Sequence, residues 1–492
     1  MARLVVGVLC ALVCAGAAQA AGQAADPAAN TPPNTPPNTA PNTVADFTLI
    51  GPLADAKAIR AARPALTEPA LEFTVKQTGG DGSETRTVDL AGDFTVDYGD
   101  TSGTLTDYAL RRVVALDDKA KTFRNYSLYA TVDFDMLETA NRRYQRGALG
   151  ALNLAGKTHA LDAYWVQAEL KIVDPQDGAP ALVRRRAKDG SVHFLLAGQD
   201  VASYALSKAA LTGAQSASLA HYLRMASGLH PAIIAEIQAS GRLPARVAFA
   251  MPPMRKAPAA QWIFGAGRAV KAVYPLREGT PLDAAGEAGT LAPLVPLMQA
   301  ALAGAAPGKR SAADYDAAIA GAMTKRSYFP AFILAMEKRL QYGAAAACAG
   351  SDCPTLADVV KAAGADPRTD ALKTALAARG EALAGAIATL AAMKRDDLSD
   401  PWMLDDFLAN TYVEAGEPVR ALPLFESALR ANPYIPGFYK DLGDAYRQAW
   451  QPNLAWFCYD TGRALPGGAE SEVLSHITAL EADIARKHPE FF

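Results

Sequence analysis

Residues 73–90 read FTVKQTGGDGSETRTVDL. Phe73 and Val75 begin an alternating run. Gly79-Gly80-Asp81-Gly82-Ser83 then supplies flexible turn residues, and Thr85 to Leu90 returns. A β-rich run, a glycine turn and a second β-rich run predict a hairpin. Similar patterns lie on both sides. Leu128, Ala130, Val132, Phe134 and Met136 alternate with Tyr129, Thr131, Asp133 and Asp135. Tyr164, Val166, Ala168, Leu170 and Ile172 alternate with Trp165, Gln167, Glu169 and Lys171. A period of two predicts half-buried strands at both places. Leu105–Leu116, Val192–Ala197, Arg246–Met251 and Ala269–Tyr274 read as further strands. Successive hairpins imply an antiparallel sheet with a covered face. The stretch Ala202–Ala239, with Leu206, Leu211, Leu219, Leu223, Ile233 and Ile237, is expected to supply that cover as helix.

Beyond about residue 290 the period becomes helical. Ala312–Met323, Phe332–Tyr342, Thr355–Ala363 and Ala371–Met393 read as amphipathic helices. Asp400-Pro401 is a start signal, Asp as N-cap and Pro at the first helical position. The expected class is therefore α+β: an antiparallel β-rich domain over 46–275, a helical region over 276–400, and helical hairpins over 401–492.

The ends speak to compartment. Arg3, an apolar run from Leu4 to Ala18, and Ala18-Gln19-Ala20 form a signal peptide with cleavage expected after Ala20. Residues 21–45 are a linker in which Thr-Pro-Pro-Asn repeats predict an extended spacer. Later segments lack 18 uninterrupted apolar residues, so no span is expected after cleavage. The expected location is periplasmic or secreted. An oxidising compartment favours a disulfide between Cys348 and Cys353. Two thiols, a redox pair or a metal site are the other readings, and Cys458 reads as a buried thiol.

Half of the residues are hydrophobic, 20% are charged, and the net charge is -3. That suits a folded protein and disfavours nucleic-acid binding, which needs a basic surface. The motifs of common enzymes are missing: no Gly-x-Ser-x-Gly elbow, no Walker loop, no His-Glu-x-x-His. Asp100-Thr101-Ser102-Gly103 approaches an aspartic-protease signature, but Ser102 interrupts it; a polar hairpin turn explains it better. Asp133 and Asp135 would share one strand face, where alternation on a solvated surface explains them better than a catalytic carboxylate pair. His159, His193, His221 and His230 are scattered and read as packing or capping residues. Arg184-Arg185-Arg186 reads as a solvated hairpin tip, with anionic lipid as the functional alternative. No cofactor or metal is expected.

Residues 402–468 carry a repeat. With Trp402 as the first position, Leu408, Ala409 and Tyr412 are followed by Ala421, Phe425, Ala428 and Pro433. Thirty-four residues on come Tyr439, Leu442, Gly443 and Tyr446, then Ala455, Tyr459 and Gly462. Small residues let helices approach and aromatic residues fill the gaps. This pattern resembles the tetratricopeptide repeat, a 34-residue helical hairpin. Asp405, Pro423 and Pro466 depart from it, and Glu470–Lys487 reads as a capping helix. The resemblance implies a groove for a protein or peptide partner, lined here by Asp406, Asn410, Val413, Lys440, Asp444 and Arg447. Family members that clamp a terminal carboxylate carry Lys and Asn where this chain has Asp406 and Asn410, so only Asn410 fits.

The expected function is an exported, non-enzymatic adaptor or assembly factor of the bacterial cell envelope. Two alternatives stand beside it. The sheet crossed by helices is similar to periplasmic lipid-carrier half-barrels, which would make this a lipid or lipoprotein carrier. A hydrolase with an unrecognised carboxylate site is the other.

Overall fold

A computed structural model of the chain describes residues 50–79, 82–152, 160–174, 180–250, 260–343, 354–468, 471 and 474–492. The expected signal peptide and linker, and His159, Cys348 and Cys353, lie outside the described residues. The described chain forms an antiparallel sheet in its N-terminal half and helices in its C-terminal half. It divides into two compact units that do not follow chain order. One holds 47–295, 451–460 and 479–492; the other holds 296–450 and 461–478 among its described residues. These borders differ from breaks at 275 and 400. The difference arises because two C-terminal segments pack with the sheet unit rather than with their sequence neighbours.

The strands are β1 (Thr67–Gly79), β2 (Gly82–Leu90), β3 (Phe94–Tyr98), β4 (Ser102–Asp107), β5 (Arg112–Asp117), β6 (Thr122–Ser127), β7 (Val183–Arg186), β8 (Val192–Leu196), β9 (Gln199–Ala210), β10 (Arg242–Phe249), β11 (Ala260–Phe264) and β12 (Arg268–Val273). They form one sheet in the order β6-β5-β4-β3-β2-β1-β11-β10-β9-β8-β7, with β12 also on β1. The opening stretch supplies the spine. β1 pairs with β2 from Leu71↔Leu90 to Gly79↔Gly82. Its other edge carries β12 and then β11. Between these two strands, a Cβ on Gly265 would lie 2.4 Å from the Thr74 hydroxyl, so only glycine fits that corner.

Alternation fills both faces of the sheet. Phe73, Val75, Val88 and Leu90 pack with Leu219, Leu223, Ile233 and Ile237 from the helices Gly213–Ala226 and Pro231–Ala239. The opposite face buries Phe94, Val96, Leu105 and Val114 beneath Ile59 and Tyr274. The helices start where local chemistry allows. Thr212 and Gln215 form a capping box, and His230 caps the second helix through the Ala232 N–H with Pro231 in its first turn.

Several segments differ from the sequence reading. Residues 128–136 are not a strand but the start of the helix Leu128–Ala151. The alternation there is followed by 15 residues with no turn signal, rich in helix formers and with a Glu138–Arg142 pair at i,i+4 (2.7 Å). Tyr164–Ile172 likewise falls mostly in the helix Ala160–Leu170, where Tyr164, Gln167 and Ala168 face inward at helical spacing. Conversely, 199–210 is strand β9, paired on both sides, so tertiary pairing overrides a helix-favouring composition. Leu105–Leu116 is two strands, broken at Arg111, whose φ is 54°. Arg184-Arg185-Arg186 is the exposed edge strand β7, not a hairpin tip.

In the helical unit, helices run over Ala312–Thr324, Tyr328–Tyr342, Leu356–Ala363, Pro367–Ala377 and Leu383–Ala392. The predicted helix 371–393 is interrupted at Gly380, whose φ of 56° favours glycine. The hairpin Trp402–Glu414 with Pro418–Ala431 follows, then the helix Pro436–Gln448; the helix Pro452–Ala464 begins in the segment 451–460 of the sheet unit. Corresponding helices start 34 residues apart, since 436 − 402 = 34 and 452 − 418 = 34. The helix Pro418–Ala431 continues through Pro423. Asp400 is not the N-cap of the helix at 402; Pro401 occupies that place, and the Asp400 carboxylate instead accepts from Arg310 at 2.9 Å. No helix among the described residues is long and apolar enough to cross a membrane.

Candidate functional site

The helices Pro367–Ala377, Leu383–Ala392, Trp402–Glu414 and Pro436–Gln448 enclose a cavity of about 370 Å³. Asn410, Val413, Lys440, Asp444 and Arg447 all line it. Five of the six residues read from the repeat therefore meet at one concave surface. The sixth, Asp406, does not line it. It is fully buried, one helical turn before Asn410, and is under the influence of the Asp441 charge on the helix Pro436–Gln448.

Asp406 and Asp441 instead form a polar layer behind the groove. The Asn410 amide donates to the Asp406 carbonyl at 2.9 Å and to the Asp441 carboxylate at 3.2 Å. Lys440 donates to Asp441 at 2.8 Å and to Asp444 at 2.7 Å. Burial alone would lower the Lys440 pKa, but the two carboxylates outweigh it and hold the ammonium above its ordinary range. Burial, and then the Asp441 charge, push Asp406 well above the usual carboxylate range. One Asp406 oxygen is buried without a hydrogen-bond partner. The charge pattern of the groove wall is thus set from behind.

The floor is apolar, from Ala375, Leu376, Leu383 and Val413. The rim carries both charge signs, and Arg379 sits 3.5 Å from Glu414. An apolar floor with mixed polar edges suits a peptide segment better than a single ion. Sequence reasoning missed the walls from 375–383. Their helical period was visible, but nothing in it aligned with the later repeats.

The other candidates are not brought together as chemistry requires. Asp133 and Asp135, on a helix rather than a strand, diverge: Asp133 accepts from the Trp456 indole at 3.2 Å. Burial raises Asp135 to about 7, with Lys171 as the favourable neighbour. The His230 ring stacks on Tyr164 at 4.9 Å, and His221 packs on Tyr108 at 4.6 Å. Burial lowers each of these histidines to about 4. His193 belongs to an arrangement the sequence did not suggest. Its Nε2 lies 3.0 Å from Ser191 Oγ and its Nδ1 2.5 Å from Asp200. That order resembles a nucleophilic triad. Yet Ser191 is 1% exposed and its hydroxyl donates to Asp189 at 2.6 Å, so the group ties a hairpin together and offers no accessible nucleophile. Among the described residues no cluster of three or more His, Cys, Asp or Glu side chains could hold a metal ion. Cys458 is a buried thiol.

Comparison of the chain with known protein families, characterised proteins and solved structures finds no match.

Proposed function

We propose that the protein is an exported tetratricopeptide-like adaptor that captures a protein or peptide segment in the groove between its helical hairpins. The observation that carries this reading is the convergence of Asn410, Val413, Lys440, Asp444 and Arg447 on one cavity with an apolar floor. The 34-residue step between successive hairpins supports the family resemblance. The signal sequence supports action in the periplasm or outside the cell. The lipid-carrier alternative draws little support, because both faces of the sheet are filled by side chains. The hydrolase alternative draws little from the Asp406–Asp441 layer, which is buried behind the groove.

The test is in-cell crosslinking of the full chain beside Val413→Glu and Arg447→Glu, with mass spectrometry as readout. Truncation after Asp400 is unsuitable, since it also removes 451–460 and 479–492 from the sheet unit. A defined envelope protein crosslinked to the parent should be lost from both variants. Retention of that protein by both variants, with folding intact, refutes the groove as the capture surface.

A further inference from the structure

The two ends of the sheet are finished differently. At the β6 end the chain closes its own edge. The Phe123 N–H donates to the Pro281 carbonyl at 3.0 Å, and the Phe123 carbonyl accepts from the Asp283 N–H at 2.7 Å. At the other end β7 is the last strand, paired among the described strands with β8 alone. All four of its residues are exposed, Val183 at 64%. The turn after β7 fixes which backbone groups are free. The Ala187 N–H donates to the Ser191 carbonyl at 2.9 Å, and the Gly190 N–H donates to the Ala187 carbonyl at 3.0 Å. Successive residues of an antiparallel pair turn their backbone groups to opposite sides. Val183 and Arg185 therefore bond toward β8, and Arg184 and Arg186 present N–H and C=O outward. That is a short template for one more strand.

The side chains along this template carry charge that the fold leaves unmatched. Arg184 is engaged: its guanidinium donates to Glu236 at 2.7 Å, and the same carboxylate accepts from the Tyr204 hydroxyl at 2.7 Å. Arg185 and Arg186 form no ion pair among the described residues. The acids of the adjoining hairpin are occupied, Asp189 by the Ser191 hydroxyl at 2.6 Å and Asp200 by the His193 ring at 2.5 Å. These charges also decide against other occupants. A second copy pairing edge to edge about Arg185 would set Arg184 opposite Arg186. Like charges directly opposite destabilise a strand pair. A lipid surface has no use for the outward N–H and C=O groups, and Val183 alone offers too little apolar area to insert.

We propose that β7 is a docking edge for an acidic extended segment of a partner protein, which joins the sheet as a further strand. Its backbone pairs with the outward groups of Arg184 and Arg186. Its carboxylates lie cross-strand from Arg185 and Arg186, which point to opposite faces of the sheet, so consecutive acidic residues serve both. This edge belongs to the sheet unit and does not rest on the groove of the helical unit.

The experiment is fluorescence anisotropy of a labelled, end-capped heptapeptide titrated with the full chain. The peptide has three central glutamates flanked by valine and threonine. Beside it run the same peptide with its glutamate backbone nitrogens methylated, a lysine counterpart, and sedimentation with phosphatidylglycerol vesicles. Saturable binding of the glutamate peptide is expected, weakened about tenfold by N-methylation. The double variant Arg185→Glu, Arg186→Glu should weaken it by about tenfold or more and bind the lysine peptide instead. Arg186→Pro removes an outward N–H and spares the bonds to β8, so it should weaken binding more than Arg186→Gln. The proposal is overturned by no saturable binding, by equal binding of the N-methylated peptide, by Arg186→Pro binding as well as Arg186→Gln, or by a charge-reversed variant that binds the glutamate peptide like the parent. Arginine-dependent sedimentation with the vesicles and no peptide binding would assign the edge to lipid and overturn it as well.

Discussion

The sheet unit and the helical unit are held together over very different sequence distances. In the sheet unit, Arg112 donates at 2.5 Å to Asp460, 348 residues away, and Trp456 donates to Asp133, 323 residues away. Tyr129 stacks on Trp456 at 5.2 Å and packs on Phe492 at 4.9 Å. The sheet unit is thus closed by the most distant part of its own chain. In the helical unit successive helices pack on one another, and the buried links are shorter in sequence, such as Tyr434 to Ala306 across 128 residues and Asn432 to Glu337 across 95. Neighbour-on-neighbour packing leaves a local pattern in the sequence, whereas closure by a remote segment leaves none.

The sharpest way to break that contrast is at Asp460. Both members of the Arg112–Asp460 pair are 3% exposed at the side chain, and Arg112 also donates to Asn125 twice at 2.8 Å. Asp460→Asn removes the carboxylate bonded to the buried guanidinium, leaving Glu287 as an acidic neighbour. Loss of one partner of a buried pair costs about 3–5 kcal/mol. Calorimetry of the full chain should show the sheet-unit transition fall in temperature. An Arg112→Met, Asp460→Leu double variant should recover part of the loss, because the guanidinium is removed together with its bonded carboxylate. A single variant as stable as the parent would mean that the distant segment does not close this unit.

The next effect compares a glycine in each unit. Gly308 in the helical unit has φ 88°, and a Cβ there would lie 2.5 Å from the Ala431 carbonyl oxygen. Gly241 in the sheet unit has φ 62° and open space around it. Both substitutions by alanine incur the left-handed backbone cost, about 1–2 kcal/mol. Only Gly308→Ala must also displace backbone. It should therefore destabilise its unit by about 1 kcal/mol more than Gly241→Ala does, measured by urea unfolding followed within each unit. Equal losses would show that the chain before the helix at 312 gives way freely.

The same contrast explains what could be read in advance. The hairpin at 73–90 was legible because glycine turns and β-branched residues leave little choice. The 34-residue step was legible because Ala409, Ala421, Gly443 and Ala455 recur where helices touch. The segment at 128–136 was misleading because nine alternating residues fit either period, and only the following chain decides. Strand β9 was hidden because Ala and Leu favour helix until β8 and β10 claim their backbone groups. Of the groove, the residues on the repeat's first helices were legible, while the wall from 375–383 carries no repeat register. Asp406 shows the remaining limit. A repeat position indicates which helix face a residue occupies, but whether that face meets the cavity or the layer behind it depends on packing.

Asp406 also carries the smallest and most specific prediction. Burial and the Asp441 charge keep its pKa well above the ordinary range in the folded chain. The unfolded chain loses that proton near pH 4. Between these two values the folded state binds more protons than the unfolded one. Its stability must then fall as pH rises from about 4 through the folded pKa, with the full cost present above it. Asp406→Asn cannot ionise and keeps a group of the same shape next to Asn410. Below pH 4 the variant should match the parent, and toward neutral pH it should gain on it by about 1 kcal/mol in the helical-unit transition. The histidines of the sheet unit work in the opposite direction. Burial holds His221 and His230 near 4, so the unfolded chain takes up protons at these two sites first, and their contribution to the sheet unit's stability is lost as pH falls from about 6.5 toward 4. Burial also raises Asp135 and Glu287 of the same unit to about 7, and their relief in acid offsets the histidines, so the helical unit should show the larger gain as pH falls. An Asp406→Asn helical transition that keeps the parent's pH slope would assign the proton to another group.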